Sequence, residues 1–180
     1  MVRFKFGKLH ASGKQMRKIS TVILLGANLL GTATVWGLTG VAAADSSAAG
    51  KFVPVTAKFR ACDFTWAINV PTNGTGTGHA IIGRGASNEV VAQVQLAAAE
   101  PQAHYNVRLI QSPRTSPGCA AGDPGVAVGG IDTDGSGAGT VTVRGGIAAG
   151  TTGVWVFVDR PSPHSQRPID FYTSEIITPI

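Results

Sequence analysis

From Lys51 onward the chain alternates between apolar and polar side chains and shows no helical repeat of useful length. A strand turns successive side chains to opposite faces, so this alternation is the mark of half-buried strands. Val53, Val55, Ala57 and Phe59 fall on one face, with Thr56, Lys58 and Arg60 on the other. After Phe59 the phase shifts, and Cys62, Phe64, Trp66, Ile68 and Val70 become the next inward set. A shift of phase inside a run predicts a bulge or a break into two strands. The stretch 71–78, rich in Gly and Thr with one Pro and one Asn, predicts a turn-forming loop.

Further strands are predicted around His79–Gly83, over Val90–Leu96 and over Tyr105–Leu109. The Pro- and Gly-rich segment 112–125 is then a long loop that carries Cys119. Val126–Thr133 and Thr140–Arg144 flank an Asp-Gly turn, which between alternating residues predicts a hairpin. Val154–Val158 is apolar on both faces and predicts a central strand, followed by a loop over 161–168 and a last strand over 169–178. The fold class is therefore all-β: about seven to nine short strands in an antiparallel β-sandwich, with a small closed barrel as the alternative.

The front of the chain has a different composition. Arg3, Lys5, Lys8, Lys14, Arg17 and Lys18 form a basic leader without an acid, 19–41 is uncharged and largely apolar, and Ala42-Ala43-Ala44 follows. That order describes a cleavable signal peptide over 1–44, leaving one domain over 45–180. A retained membrane anchor is the rival, although Gly26, Gly31, Gly37 and Gly40 interrupt the span. Removing the leader changes the charge argument. Of the 15 basic residues six lie in it, so nine remain against all 10 acids. The net charge falls to about −1, and the basic surface that nucleic-acid binding needs disappears. The expected location is secreted or extracytoplasmic, with the membrane met only through the leader during export. The two cysteines, Cys62 and Cys119, both belong to the exported part, where a pair of thiols is expected to close a disulfide.

Candidate chemistry is sparse. Asp132, Asp134, Ser136 and Gly137 match positions 1, 3, 5 and 6 of a helix-loop-helix calcium loop, but position 12 is Val143. The expectation is a turn, with a weak calcium site at Asp132, Asp134 and Ser136 as the alternative and no other cofactor. His79, His104 and His164 lie in three distant segments, with no H-x-H or H-E-x-x-H spacing. No G-x-S-x-G elbow occurs, and nothing in the spacing singles out a carboxylate pair such as Asp123 and Asp132. Trp155 and Phe157 share one face of the central strand and Val154, Val156 and Val158 the other. Only one of those faces belongs to an inter-sheet core. The second is closed by the chain itself or forms a partner patch at Trp155 and Phe157.

The segments "VAAAD", "YNVRLIQ", "IDTDGSGAGTVTV" and "VWVFV" resemble those of small exported β-sandwich proteins of actinobacteria, mycobacteria included, that have no assigned activity. The strand and hairpin pattern is also similar to immunoglobulin-like, superoxide-dismutase-like and chordin-repeat-like sandwiches. The resemblance implies no catalytic residue, and the paired strand histidines of the dismutases are missing. The expected function is an exported, disulfide-stapled protein that binds a protein or envelope ligand without catalysis. The alternatives are a loop-carboxylate or metal-dependent enzyme, and a subunit that buries its aromatic strand face in a complex.

Overall fold

The computed structural model describes residues 50–180; the leader predicted over 1–44 lies outside the described residues. Nine strands follow in chain order: β1 (Lys51–Thr56), β2 (Thr77–Arg84), β3 (Glu89–Ala97), β4 (His104–Ser112), β5 (Val126–Asp132), β6 (Gly139–Gly146), β7 (Gly153–Arg160), β8 (Asp170–Ser174) and β9 (Thr178–Pro179). The described residues contain no helix, and thus none long and apolar enough to cross a membrane. All pairings are antiparallel, in the order β5-β4-β7-β8-β1-β2-β3-β6, with β9 beside the start of β7.

The ladder folds where it is thinnest. β1 and β8 share only the pairs Val55↔Ser174 and Thr56↔Thr173, whereas β2 and β3 run in register from Thr77↔Ala97 to Arg84↔Val90. At that seam the sheet doubles over into two layers, β5-β4-β7-β8 and β1-β2-β3-β6, as a sandwich that is close to a flattened barrel. Alternation then does what the sequence predicts. Val53, Val55, Ala80, Ile82, Val90, Ala92, Val94 and Leu96 from one layer meet Tyr105, Val107, Leu109, Ile131, Val154, Val156, Val158 and Tyr172 from the other. Burying such side chains contributes roughly 1.5–3 kcal/mol each, which is the main drive for closing the layers.

Two expectations need correcting. The segment 57–76 forms no second strand: its backbone makes only an isolated bridge, Arg60↔Trp66. The β-ladder positions beside β8 and β7 are already occupied, so this segment crosses the outside of their layer as a loop. Phe59, Cys62, Phe64 and Val70 turn in from it, while Trp66 and Ile68 stay 55% and 72% exposed. The second correction concerns β5 and β6. They are consecutive but not a hairpin, since β5 pairs with β4 and β6 with β3. The connection is an arch from one layer to the other, because Ile131 and Val143 both point into the core.

The loop over 57–76 completes a second, smaller core. Phe59 meets Phe157 and Phe171 edge-on, with ring centroids at 5.6 and 5.2 Å, and Phe64 lies against Trp155 at 5.3 Å. Trp155, Phe157 and Ile110 are consequently buried, so of the two alternatives for the Trp155 and Phe157 face the chain's own loop supplies the cover. Cys62 is bonded to Cys119, 57 residues further on, with Cα atoms 5.5 Å apart. Arg60 holds the same loop from the other side: Nε donates to the Ser174 carbonyl at 3.1 Å, and the guanidinium stacks on Phe64 at 4.0 Å.

Two measurements follow from this arrangement. Replacing both cysteines (Cys62→Ala with Cys119→Ala) is expected to lower the unfolding free energy by about 4 kcal/mol in urea denaturation, from loop closure alone. A loss below about 1 kcal/mol would mean that the loop docks without its staple. At the seam, Glu175 accepts hydrogen bonds from the Thr56 hydroxyl and from Lys58 Nζ at 2.9 Å, which hold its carboxyl below the ordinary glutamate range. A depressed carboxylate stabilises the fold above its unfolded-state pKa and loses that effect as pH falls through the folded one. The melting temperature is expected to fall between about pH 5 and 3, and Glu175→Gln to flatten that decline.

Candidate functional site

Among the described residues, a concave surface lies on the outer side of the β4/β7 layer. A cleft of about 410 Å³ is bounded by the loop over 57–76 (Phe59–Cys62), the loop over 113–125 (Ser116, Pro117, Cys119) and the loop over 161–169 (Pro161, Ser162, Ser165, Gln166, Pro168). Its floor is strand: Arg108 from β4, with Phe157 and Asp159 from β7. A second depression of the same volume, lined by Asn106, Val107, Ala120, Ala121, Val128 and Gly129, shares Arg108 and Asp159 with the first. These two side chains form the partition between them.

Register explains why they meet. β4 pairs with β7 so that Arg108 lies opposite Phe157 and Asn106 opposite Asp159. Outward positions along β4 and β7 therefore bring Arg108 diagonally next to Asp159, and its guanidinium lies 4.4 Å from the centroid of the Phe157 ring. Arg108 Nη2 donates to Asp159 Oδ1, and Nη1 donates to the Cys119 carbonyl at 3.2 Å. The arginine thus ties strand, aromatic floor and disulfide loop together. Both partners are largely withdrawn from water, at 22% and 11% side-chain exposure, so the charge of each needs the other.

Of the remaining candidate residues, His104 meets Asp132 and Ser136 meets Asp134, and among the described residues no larger group forms. Asp134 Oδ1 accepts from Ser136 N–H at 2.8 Å, Ser136 Oγ–H at 2.7 Å and Ala138 N–H at 3.0 Å, and these bonds pull its pKa below the ordinary carboxylate range. Asp132 Oδ1 lies 2.7 Å from His104 Nδ1. The three residues Asp132, Asp134 and Ser136 therefore shape the arch, which also docks on the β3–β4 loop through Ala99 N–H to the Gly137 carbonyl at 3.1 Å. Gly137 is required there: its φ is +76° and a Cβ would collide with the Ala99 carbonyl. His79 stacks on Phe52, and His164 stands in the exposed loop over 161–169. Asp123 accepts the Ala120 N–H at 2.7 Å. Among the described residues no three His, Cys, Asp or Glu side chains gather as a metal site would require.

A buried polar cluster closes the end of the sandwich near the arch. Tyr105 donates to Asp170 Oδ2 at 2.9 Å and accepts the Glu100 N–H at 3.1 Å, while Arg160 Nε donates to Asp170 Oδ1 at 2.9 Å. Tyr172 accepts the Gly76 N–H at 3.1 Å. Burial pushes both phenols above their ordinary pKa, so both remain protonated at neutral pH. Tyr105 and Arg160 are joined through Asp170 and Tyr172 holds the Gly76 backbone, which makes this cluster a fastening of loops.

Sequence reasoning passed over Arg108 and Asp159. A signal existed in Arg108 within β4 and in the Asp159-Arg160 pair that ends the apolar run of β7, yet only the β4–β7 register brings Arg108 and Asp159 together. Arg108→Ala is expected to cost about 3 kcal/mol in urea denaturation by leaving Asp159 unpaired in a half-closed cleft. Arg108→Met combined with Asp159→Val, which removes both charges, is expected to cost less than the single change.

No protein-family model, no curated protein and no solved structure matches this chain.

Proposed function

We propose that the protein is an exported, disulfide-stapled binding protein whose ligand sits in the cleft above Arg108, Phe157 and Asp159. The carrying observation is the makeup of that cleft. Its walls are loops pinned by the Cys62–Cys119 bond, and its floor is a strand-borne ion pair already satisfied from both sides. Loops fixed on a rigid sheet are where recognition is ordinarily sited.

The chemistry of the lining favours binding over turnover. Asp159 is the one carboxylate in it, and its Oδ1 is already engaged by Arg108. The lining holds the hydroxyls of Ser116, Ser162 and Ser165 but no imidazole, and the neighbouring His164 gives Ser162 its backbone N–H and not its ring. What the cleft does present is an aromatic floor at Phe59 and Phe157, three prolines, and neutral donors and acceptors from the serines and Gln166. Such a surface suits a small, uncharged, partly apolar molecule or chain segment. The disulfide agrees with an oxidising compartment, and the signal-like leader supports export.

The test is a nuclear magnetic resonance screen of neutral fragments against the purified protein. Expected hits shift the amides around Phe59, Ser116 and Phe157, and Gln166→Trp, which fills the cleft, abolishes them. Hits that map elsewhere would place the ligand site outside the cleft. Turnover of ester, glycoside or phosphoester substrates that is lost in Asp159→Asn would replace binding by catalysis. Export has its own readout: N-terminal sequencing of protein recovered from the medium should begin at Asp45.

A further inference from the structure

The opposite outer face, that of β1-β2-β3-β6, carries a second surface that the cleft does not use. Register aligns its outward side chains into rows across the strands. Phe52, Ile81, Gln93 and Thr142 form one row, and Pro54, His79, Gln95 and Thr140 the next. Strands are spaced about 4.8 Å apart, so each row is roughly 14 Å long, and the two rows are separated by about 7 Å. Gln93, Gln95, Thr140, Thr142 and Pro54 are exposed, and Phe52 and Ile81 are 61% and 39% exposed. The Phe52 ring is held flat against His79, with centroids 4.8 Å apart and planes 25° apart.

We propose that this face is a platform for an uncharged polysaccharide. The argument is chemical complementarity. Neither row contains a Lys, Arg, Asp or Glu, although the mature chain has nine basic and 10 acidic residues to distribute. Charge returns only at the margins, at Arg144 one outward position further along β6 and at the Glu175–Lys58 pair beside Pro54 and Thr56. A polyanion would need basic residues along its track, and these rows supply none. A second copy of the chain would have to bury two amides and two hydroxyls against one another, at a cost unless every one found a partner. A sugar ring suits the same groups. Its C–H face stacks on an aromatic ring held flat, and its hydroxyls exchange hydrogen bonds with amides and hydroxyls that each donate and accept. The first row runs perpendicular to the strands, so an extended chain crossing the sheet meets Phe52 and Ile81 first, then an amide and a hydroxyl in succession.

The test is retention of the purified full-length protein on insoluble cellulose, chitin, xylan and mannan, with alginate as the charged comparison. The expected result is retention on at least one neutral polymer, unchanged between low and high salt. Phe52→Ala is expected to weaken it about tenfold, and Gln93→Ala with Gln95→Ala to weaken it as well. All three positions are exposed, so thermal melting should be unchanged and any unfolding of a variant would be visible. Gln166→Trp, which fills the cleft on the other face, should leave retention intact. The proposal is overturned by no retention on any neutral polymer, by retention on alginate alone, by retention that salt abolishes, or by variants that bind as well as the parent. A dimer in size-exclusion chromatography that Phe52→Ala dissolves, without polymer binding, would assign the face to a second copy instead. Loss of retention in Gln166→Trp would move the polymer to the cleft.

Discussion

A strand that is apolar on both faces has to be covered twice, and β7 imposes that requirement on the rest of the molecule. One cover is the opposing layer, which takes Val154, Val156 and Val158. The other has to be brought from elsewhere in the chain, because Trp155 and Phe157 would otherwise lie open to water. A loop has little of its own to hold it down, since its backbone joins no ladder. The Cys62–Cys119 bond, the Arg60 clamp and the edge-on contacts of Phe59 supply what hydrogen-bonded pairing supplies elsewhere. The cleft is a by-product of this second cover. Where the loop stops short of the strand ends, Arg108 and Asp159 remain partly open and the walls are already rigid.

The two ends of the sandwich are fastened in a different way. Tyr105, Asp170 and Arg160 lock one end through mutual hydrogen bonds, Tyr172 holds Gly76 there, and Asp134 shapes the arch that seats on the β3–β4 loop. In both places the polar groups are spent on one another. Of the acids that look most like chemistry in the sequence, Asp134 is bonded within the arch, and Asp132 meets His104 at its exposed edge.

Most of the strands were legible in the sequence because the core is built from strict alternation. β3 and β4 are the clearest cases, with every second residue buried along most of their length. The misreadings have one cause, which is that alternation reports which side a residue faces and not which strand lies beside it. Cys62 to Val70 alternates well enough to suggest a strand, yet β7 and β8 leave it no partner edge. Asp134-Gly135 has the composition of a hairpin tip, yet the strands on either side join different layers. The cysteine pairing needed only two residues and a compartment. The cleft was out of reach, because Arg108 and Asp159 are 51 positions apart and meet only through a register that no local pattern encodes.

The β1–β8 seam also orders events in time. It is the join that makes two layers of one sheet, and it pairs Val55 and Thr56 with Ser174 and Thr173. The first strand therefore waits for almost the last residues of the chain before the sandwich can close. Until then β1 has only β2 beside it, and the inner face of that layer has no opposite number. Pairings between such distant segments make a fold slow to form and leave apolar surface open in the interval. During synthesis that apolar face therefore stays uncovered until β8 has been made.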